Sequence, residues 1–253
     1  MRKLCAFVYK KTYTLDGSHD VQHMRCVVDN VERILSSGMV HEPEFDRDQI
    51  RFLSIIVAWM HDVCDPKYKS MKTEELFEFL QDMFQPHIAC IVYDASKHIS
   101  FSRLRRQGIP SLPLLTFIVW KIASEADMLE AMGITGVIRT VMYQGAIQKT
   151  MHDAIIYADT YLTQCITYID YSKKEAHKRL KHMRWLIHAV MCKKNEHHEK
   201  ITKLMFTCHA FGRIGFSFPY VIQHVFECLE YPTHVRNLLK YEQKRLLSEI
   251  RAM

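Results

Sequence analysis

Glycine and proline are scarce in this chain, eight and seven of 253 residues. That scarcity argues against an all-β fold, which uses both in its many turns. Long apolar runs are missing too. A membrane-spanning helix needs about 20 predominantly apolar residues. The longest candidate, Ile50 to Val63, contains Arg51 and ends in His61-Asp62. The opening Met1-Arg2-Lys3-Leu4-Cys5-Ala6-Phe7-Val8-Tyr9-Lys10 is too short and too soon charged for a signal peptide. No C-x-x-C pair occurs among the eight cysteines, which are scattered and mostly set among apolar neighbours. A chain of this size with such cysteines is expected to keep reduced thiols in the cytoplasm. Charge of either sign is not in large excess. A net +6 gives mild attraction to anions such as nucleotides or nucleic acid.

What is present favours helices. Met, Leu, Ile and His are common, and apolar residues recur at helical spacing, as in Leu76, Phe77, Leu80 and Phe84. Asp16-Gly17-Ser18 makes a turn, with Ser18 as N-cap of a helix to about residue 36. Asp46 or Asp48 opens a second helix that runs into His61-Asp62. Ser70 or Thr73 opens a third, and Pro86 a fourth. Residues 100–113, with Arg103, Arg105 and Arg106, read as a loop. Helices follow over 114–130, 134–145, 148–168, 173–192, 195–210, 218–229 and 233–250. The expected fold is an all-α bundle, with residues 1–192 as the main domain and 193–253 as a C-terminal helical extension packed on or beside it. The clearest late break is 211–220.

The pair His61-Asp62 closes the apolar run Phe52-Leu53-Ser54-Ile55-Ile56-Val57-Ala58-Trp59-Met60. An imidazole and a carboxylate at the inner end of a buried helix cost several kcal/mol unless their charge is compensated. A divalent cation would compensate it. His23, early on the first helix, and Asp127, within a mostly apolar helix, could supply further ligands from a bundle core. Such N/O ligation suits Mn, Fe, Co, Ni, Zn or Mg. Two other His-Asp pairs, His19-Asp20 and His152-Asp153, lack the apolar approach. Asp20 is explained by its place at a helix start.

The resemblance becomes specific with these strings. Gly17-Ser18-His19-Asp20-Val21-Gln22-His23 resembles the first motif of the HD-domain superfamily of metal-dependent phosphohydrolases. Trp59-Met60-His61-Asp62-Val63-Cys64-Asp65-Pro66-Lys67 resembles its second. The stretch from Glu125 to Arg139 resembles the long last motif of a branch of small HD hydrolases, and His98-Ile99-Ser100-Phe101-Ser102 is similar to a segment common in that branch. The resemblance covers residues 16 to about 190. It implies metal ligation by His23, His61, Asp62 and Asp127, and a water-orienting role for Asp65. It also implies phosphate contacts by Lys67, Lys69, Ser100, Arg103 and Arg139. For Arg139 a carboxylate partner is the other reading, as a turn before Pro66 is for Asp65 and a solvated loop is for Lys67 and Lys69. Gly133 and Gly136 fit a turn or close helix packing. Cys26 and Met128 stand where the family usually has arginine.

The function so implied is hydrolysis of a small phosphate ester, a nucleotide first among them, by a metal-activated water. A second reading is a catalytically weakened HD protein that binds nucleic acid or protein through the basic residues of 173–194, eight Lys or Arg against Glu175, a run that otherwise reads as a solvated outer face. The missing family arginines motivate it. Membrane partners are not expected, and the apolar positions of the extension would suit a homodimer face or a lid.

Overall fold

A computed structural model of the chain describes residues 2–12, 20–40, 42–63, 72–165, 167–218, 220–221 and 223. Eleven α-helices, one 3-10 turn and no strand occur among the described residues. The fold is all-α, as composition and periodicity predict.

The chain divides into two compact units. Unit 1 comprises Met1–Leu15, His23–Leu129 and Thr167–Lys174; unit 2 comprises Asp16–Gln22, Glu130–Ile166 and Glu175–Met253. Unit 1 holds α1 (Arg2–Thr12), most of α2 (Val21–Ser36), then α3 (Arg47–Met60), α4 (Thr73–Met83), α5 (Pro86–Ser96), α6 (Phe101–Gln107) and most of α7 (Leu114–Ala131). Within it α3 packs on α1 and α5, and α4 packs on α5. The start of α3 follows the sequence: Asp46 is the N-cap, its carboxylate accepting from the Asp48 N–H at 3.3 Å. Pro86 takes the first turn of α5, where a missing N–H costs nothing. The second half of α3 is buried on nearly every side, with Leu53, Ser54 and the run Ile56 to Met60 in the core. A helix apolar all round belongs inside. On α2 the buried side is one stripe that includes His23, Val27, Asn30 and Ile34.

One expectation is corrected. Residues 100–113 are not all loop, since α6 occupies 101–107. Ser100 is its N-cap, the hydroxyl accepting from the Arg103 N–H at 3.4 Å. An arginine-rich segment with little apolar periodicity hides a two-turn helix from pattern reading.

Unit 2 holds α8 (Gly133–Ala146), α9 (Met151–Thr160), a 3-10 turn (Leu162–Gln164), most of α10 (Asp170–Met191) and α11 (His198–Arg213). The single helix expected over 148–168 is shorter. It starts at a capping box between Thr150 and Asp153 and ends at Thr160. That box also accounts for the His152-Asp153 pair, whose acid serves the helix start. Helix α11 crosses α8 at two glycines. A Cβ on Gly145 would sit 2.3 Å from the His209 carbonyl oxygen, and one on Gly212 would sit 2.1 Å from that of Met142. Gly133 adopts φ +88°, and a Cβ on Gly136 would lie 2.2 Å from the Ala131 oxygen. Both glycines therefore do the turn and close-packing work their place in the motif suggests.

Candidate metal centre

The structure brings His23, His61, Asp62 and Asp127 together inside unit 1, from three separate helices. His23 is the third residue of α2, whose start is marked by Asp20: its carboxylate accepts the Gln22 N–H at 2.9 Å. The expected cap Ser18 lies outside the described residues. His61 and Asp62 follow α3 directly in a turn, His61 being its C-cap. Asp127 lies near the end of α7.

The atoms that meet are the ones a cation would use. His23 Nε2 and His61 Nε2 are 3.2 Å apart. Asp62 Oδ2 is 3.3 Å from the first and 3.4 Å from the second. Asp127 Oδ1 is 3.3 Å and 3.6 Å from the same two nitrogens. Ligating atoms of His23, His61 and Asp62 all fall within 4.8 Å of one another. The three are buried, while the Asp127 side chain is 22 % exposed.

The tautomer of His61 is fixed by its surroundings. Its Nδ1 lies 2.8 Å from the Ala58 carbonyl oxygen, which can only accept, so Nδ1 carries hydrogen. Nε2 therefore presents either a lone pair or a second proton to the cluster. This is the backbone-oriented imidazole typical of metal-binding histidines. Without a cation a proton occupies the space. Burial lowers the His61 pKa, but the Asp62 charge, helped by hydrogen bonds to Asp127 and Asp62, outweighs it and holds the imidazolium well above its ordinary range. Burial likewise pushes the Asp127 carboxyl up, and hydrogen bonds from His23 and His61 overcome it, holding Asp127 well below the usual carboxylate range. Two imidazoles and two carboxylates brought together in this way form a donor set that fits a divalent cation.

Two neighbours of Asp127 are pinned. The Asn30 amide donates to the Ala126 carbonyl at 3.0 Å, tying α2 to α7. Asn30 is seven residues after His23, two turns along the same face. Glu125 reaches the other way. Its carboxylate accepts from the Tyr168 N–H at 2.7 Å and the Ile169 N–H at 3.0 Å, at the entry to α10. Burial raises the Glu125 pKa, and the hydrogen bonds from Ser172 and these amides offset it only in part. Sequence reading missed both roles. An amide on the apolar stripe of α2 was the available signal for Asn30.

The remaining expected site residues are placed as follows. Asp65, Lys67 and Lys69 lie outside the described residues. Ser100 and the half-buried Arg103 share the first turn of α6. Arg139 is buried in unit 2, with Nη2 3.7 Å from Glu130 Oε2 and its guanidinium 4.8 Å from the Phe218 ring centre. Of the two readings left open for it, this geometry favours the carboxylate pair. Arg179 joins the same group: Nη1 is 3.4 Å from Glu130 and Nε 2.9 Å from Glu175. Cys26 and Met128 are both buried.

No protein-family model and no curated protein matches the chain. Solved structures do. YpgQ of Bacillus subtilis is similar with a TM-score of 0.58 at 20% identity, over 77% of this chain and 95% of YpgQ. YpgQ in complex with ADP gives 0.59 at 20% identity, over 77% of this chain and 98% of that one. A Lactobacillus plantarum protein gives 0.57 at 17% identity, over 74% and 92%. At these identities the likeness establishes the helical fold.

Proposed function

We propose that the chain is a metal-dependent phosphohydrolase of the HD type, acting on a nucleotide or another small phosphate ester. The observation that carries the proposal is the meeting of two imidazole nitrogens, 3.2 Å apart, each with oxygens of Asp62 and Asp127 at 3.3 to 3.6 Å, from helices remote in sequence. Structural likeness to YpgQ, one of whose structures holds ADP, supports a nucleotide as the substrate class. The domain that does this is residues 1–192.

His23, His61, Asp62 and Asp127 would hold the cation. Bound there, it would supply Lewis acidity toward a phosphate oxygen and lower the pKa of water at the site. The chain's own groups do the rest. Ala58 holds the His61 ring with Nε2 toward the cluster. Asn30 and Glu125 hold α7 so that Asp127 meets both imidazoles. Asp65, three residues beyond Asp62, orients the attacking water or takes its proton. Lys67, Lys69 and Arg103 neutralise charge on the phosphoryl oxygens, and Ser100 positions Arg103 by capping its helix. Substrate would approach past Asp127, the most exposed of the four side chains.

The test is a hydrolysis screen with added Mn, Mg, Fe, Co, Ni or Zn over nucleoside mono-, di- and triphosphates and cyclic nucleotides. The proposal expects turnover of at least one nucleotide that stops on chelation. Phosphate release that is indifferent to chelation would contradict it.

A further inference from the structure

The face of α10 is charged in a way the hydrolase reading does not use. Between positions 173 and 188 every exposed residue is cationic or imidazole: Lys173, Lys174, His177, Lys178, Lys181, Arg184 and His188. At 100° per residue they occupy an arc of roughly 140°. The one acid in that span, Glu175, is buried and turned to Arg179. It also lies 4.0 Å from Lys178, the limit of an ion pair. Asp170, at the head of the helix, pairs with Lys173 at 2.9 Å. Lys181 and Arg184 have no carboxylate partner among the described residues. Two more exposed lysines, Lys193 and Lys194, follow the helix.

We propose that this stripe, centred on Lys178, Lys181 and Arg184, binds the phosphodiester backbone of duplex nucleic acid without reading its sequence. Cations recurring about once per helical turn match a polyanion with regularly repeated charge. Other polyanionic partners fit less well. An amphipathic membrane helix interleaves Trp, Phe or Leu with its cations, and no large hydrophobic residue is exposed between 173 and 188. Single-strand binding surfaces use exposed aromatic rings as stacking platforms, and Trp185, the one aromatic residue in that span, is half-buried beside His197. What the face offers is charge alone, which positions a backbone and does not specify bases.

The full chain is titrated into a fluorescent 20-base-pair duplex of random sequence, from 50 to 200 mM salt. Four to five phosphate contacts predict a slope of log K against log salt of about −4. The variant Lys178→Gln/Lys181→Gln/Arg184→Gln removes three contacts. By the same relation its affinity at 0.1 M salt drops by a factor of several hundred, and the slope falls to about −1 to −2. Its melting temperature and its metal-dependent hydrolysis are expected to stay close to the wild-type values, because none of these exposed side chains touches the cluster and only Lys178 reaches a buried group, Glu175, at the 4.0 Å limit. Lys→Arg exchange at 178 and 181 is expected to restore binding. The proposal is overturned if the duplex is not bound at 50 mM salt, or if the triple variant keeps wild-type affinity and slope. It is also overturned if vesicles with phosphatidylserine are bound and the duplex is not.

Discussion

At the scale of single residues the site is a contest between protons and a cation for the same lone pairs. His61 is held in its hydrogen-bonded orientation by Ala58, and its free nitrogen faces His23, Asp62 and Asp127. The raised His61 pKa means that folding favours the imidazolium when metal is absent. That stabilisation is fully present below the unfolded value of about 6.5 and is lost as pH rises through the folded value. Asp127, with its pKa lowered, contributes in the opposite sense. Its share is present above about pH 4 and is lost as pH falls. Metal-free protein is therefore expected to gain melting temperature up to about pH 4.5 and to lose it again above about pH 6.5. Metal must displace the His61 proton, so metal affinity should rise by about tenfold per pH unit in the range where His61 is protonated. Calorimetry in buffers of different ionisation enthalpy reads the released proton, and a pH-independent affinity would contradict this assignment. The conservative change Asp62→Asn removes the charge that sustains the imidazolium. In the metal-free variant the His61 midpoint, followed by NMR, should move down. An unmoved midpoint would place the source of the shift elsewhere.

At the scale of helices, positions are held by a few buried contacts whose loss is measurable. Asn30→Ala leaves the Ala126 carbonyl without the amide that joins α2 to α7. A lost buried hydrogen bond costs about 1–3 kcal/mol. The variant is expected to lose metal affinity as well as stability, because His23 and Asp127 ride on the two helices it joins. Denaturant titration with and without metal separates the two effects. Affinity unchanged in a destabilised protein would reduce Asn30 to a packing residue. At the α8–α11 crossing the expectation is purely structural. Gly145→Ala or Gly212→Ala puts a methyl against a backbone carbonyl. Such overpacking costs about 1–3 kcal/mol or more. Melting curves check it; a variant as stable as the wild type would mean the helices part at no cost.

Some of these elements were legible before the structure, for physical reasons. Asp46 and Pro86 mark helix starts because cap chemistry is local. The apolar run into His61-Asp62 announces a buried polar pair because its cost is local too. Other features are tertiary and leave little trace in order along the chain. The carbonyl of Ala58 is backbone, and no residue type encodes its role. Arg179 sits within the basic run of 173–194, yet it is buried against Glu130 and Glu175. Its angular position on α10, away from Lys178 and Lys181, was the available signal. The short α6 is set by the Ser100 cap and not by any apolar stripe.

At the scale of the whole molecule, the described residues form eleven helices and no strand, with several polar and charged side chains buried among them. No described helix is long and apolar enough to cross a membrane. A cation that binds only the folded chain stabilises it by about 2.7 kcal/mol at a hundred times its dissociation constant. For a chain of this size that is a rise of roughly 5–10 °C in melting temperature. The most direct test of the account is elemental analysis of the full chain, as purified and after saturation with divalent metal, beside Asp62→Asn. The account predicts at least one tightly held divalent ion per wild-type chain, lost in the variant together with nucleotide hydrolysis. Stoichiometric metal retained in the variant, or hydrolysis persisting once its metal is gone, would contradict it.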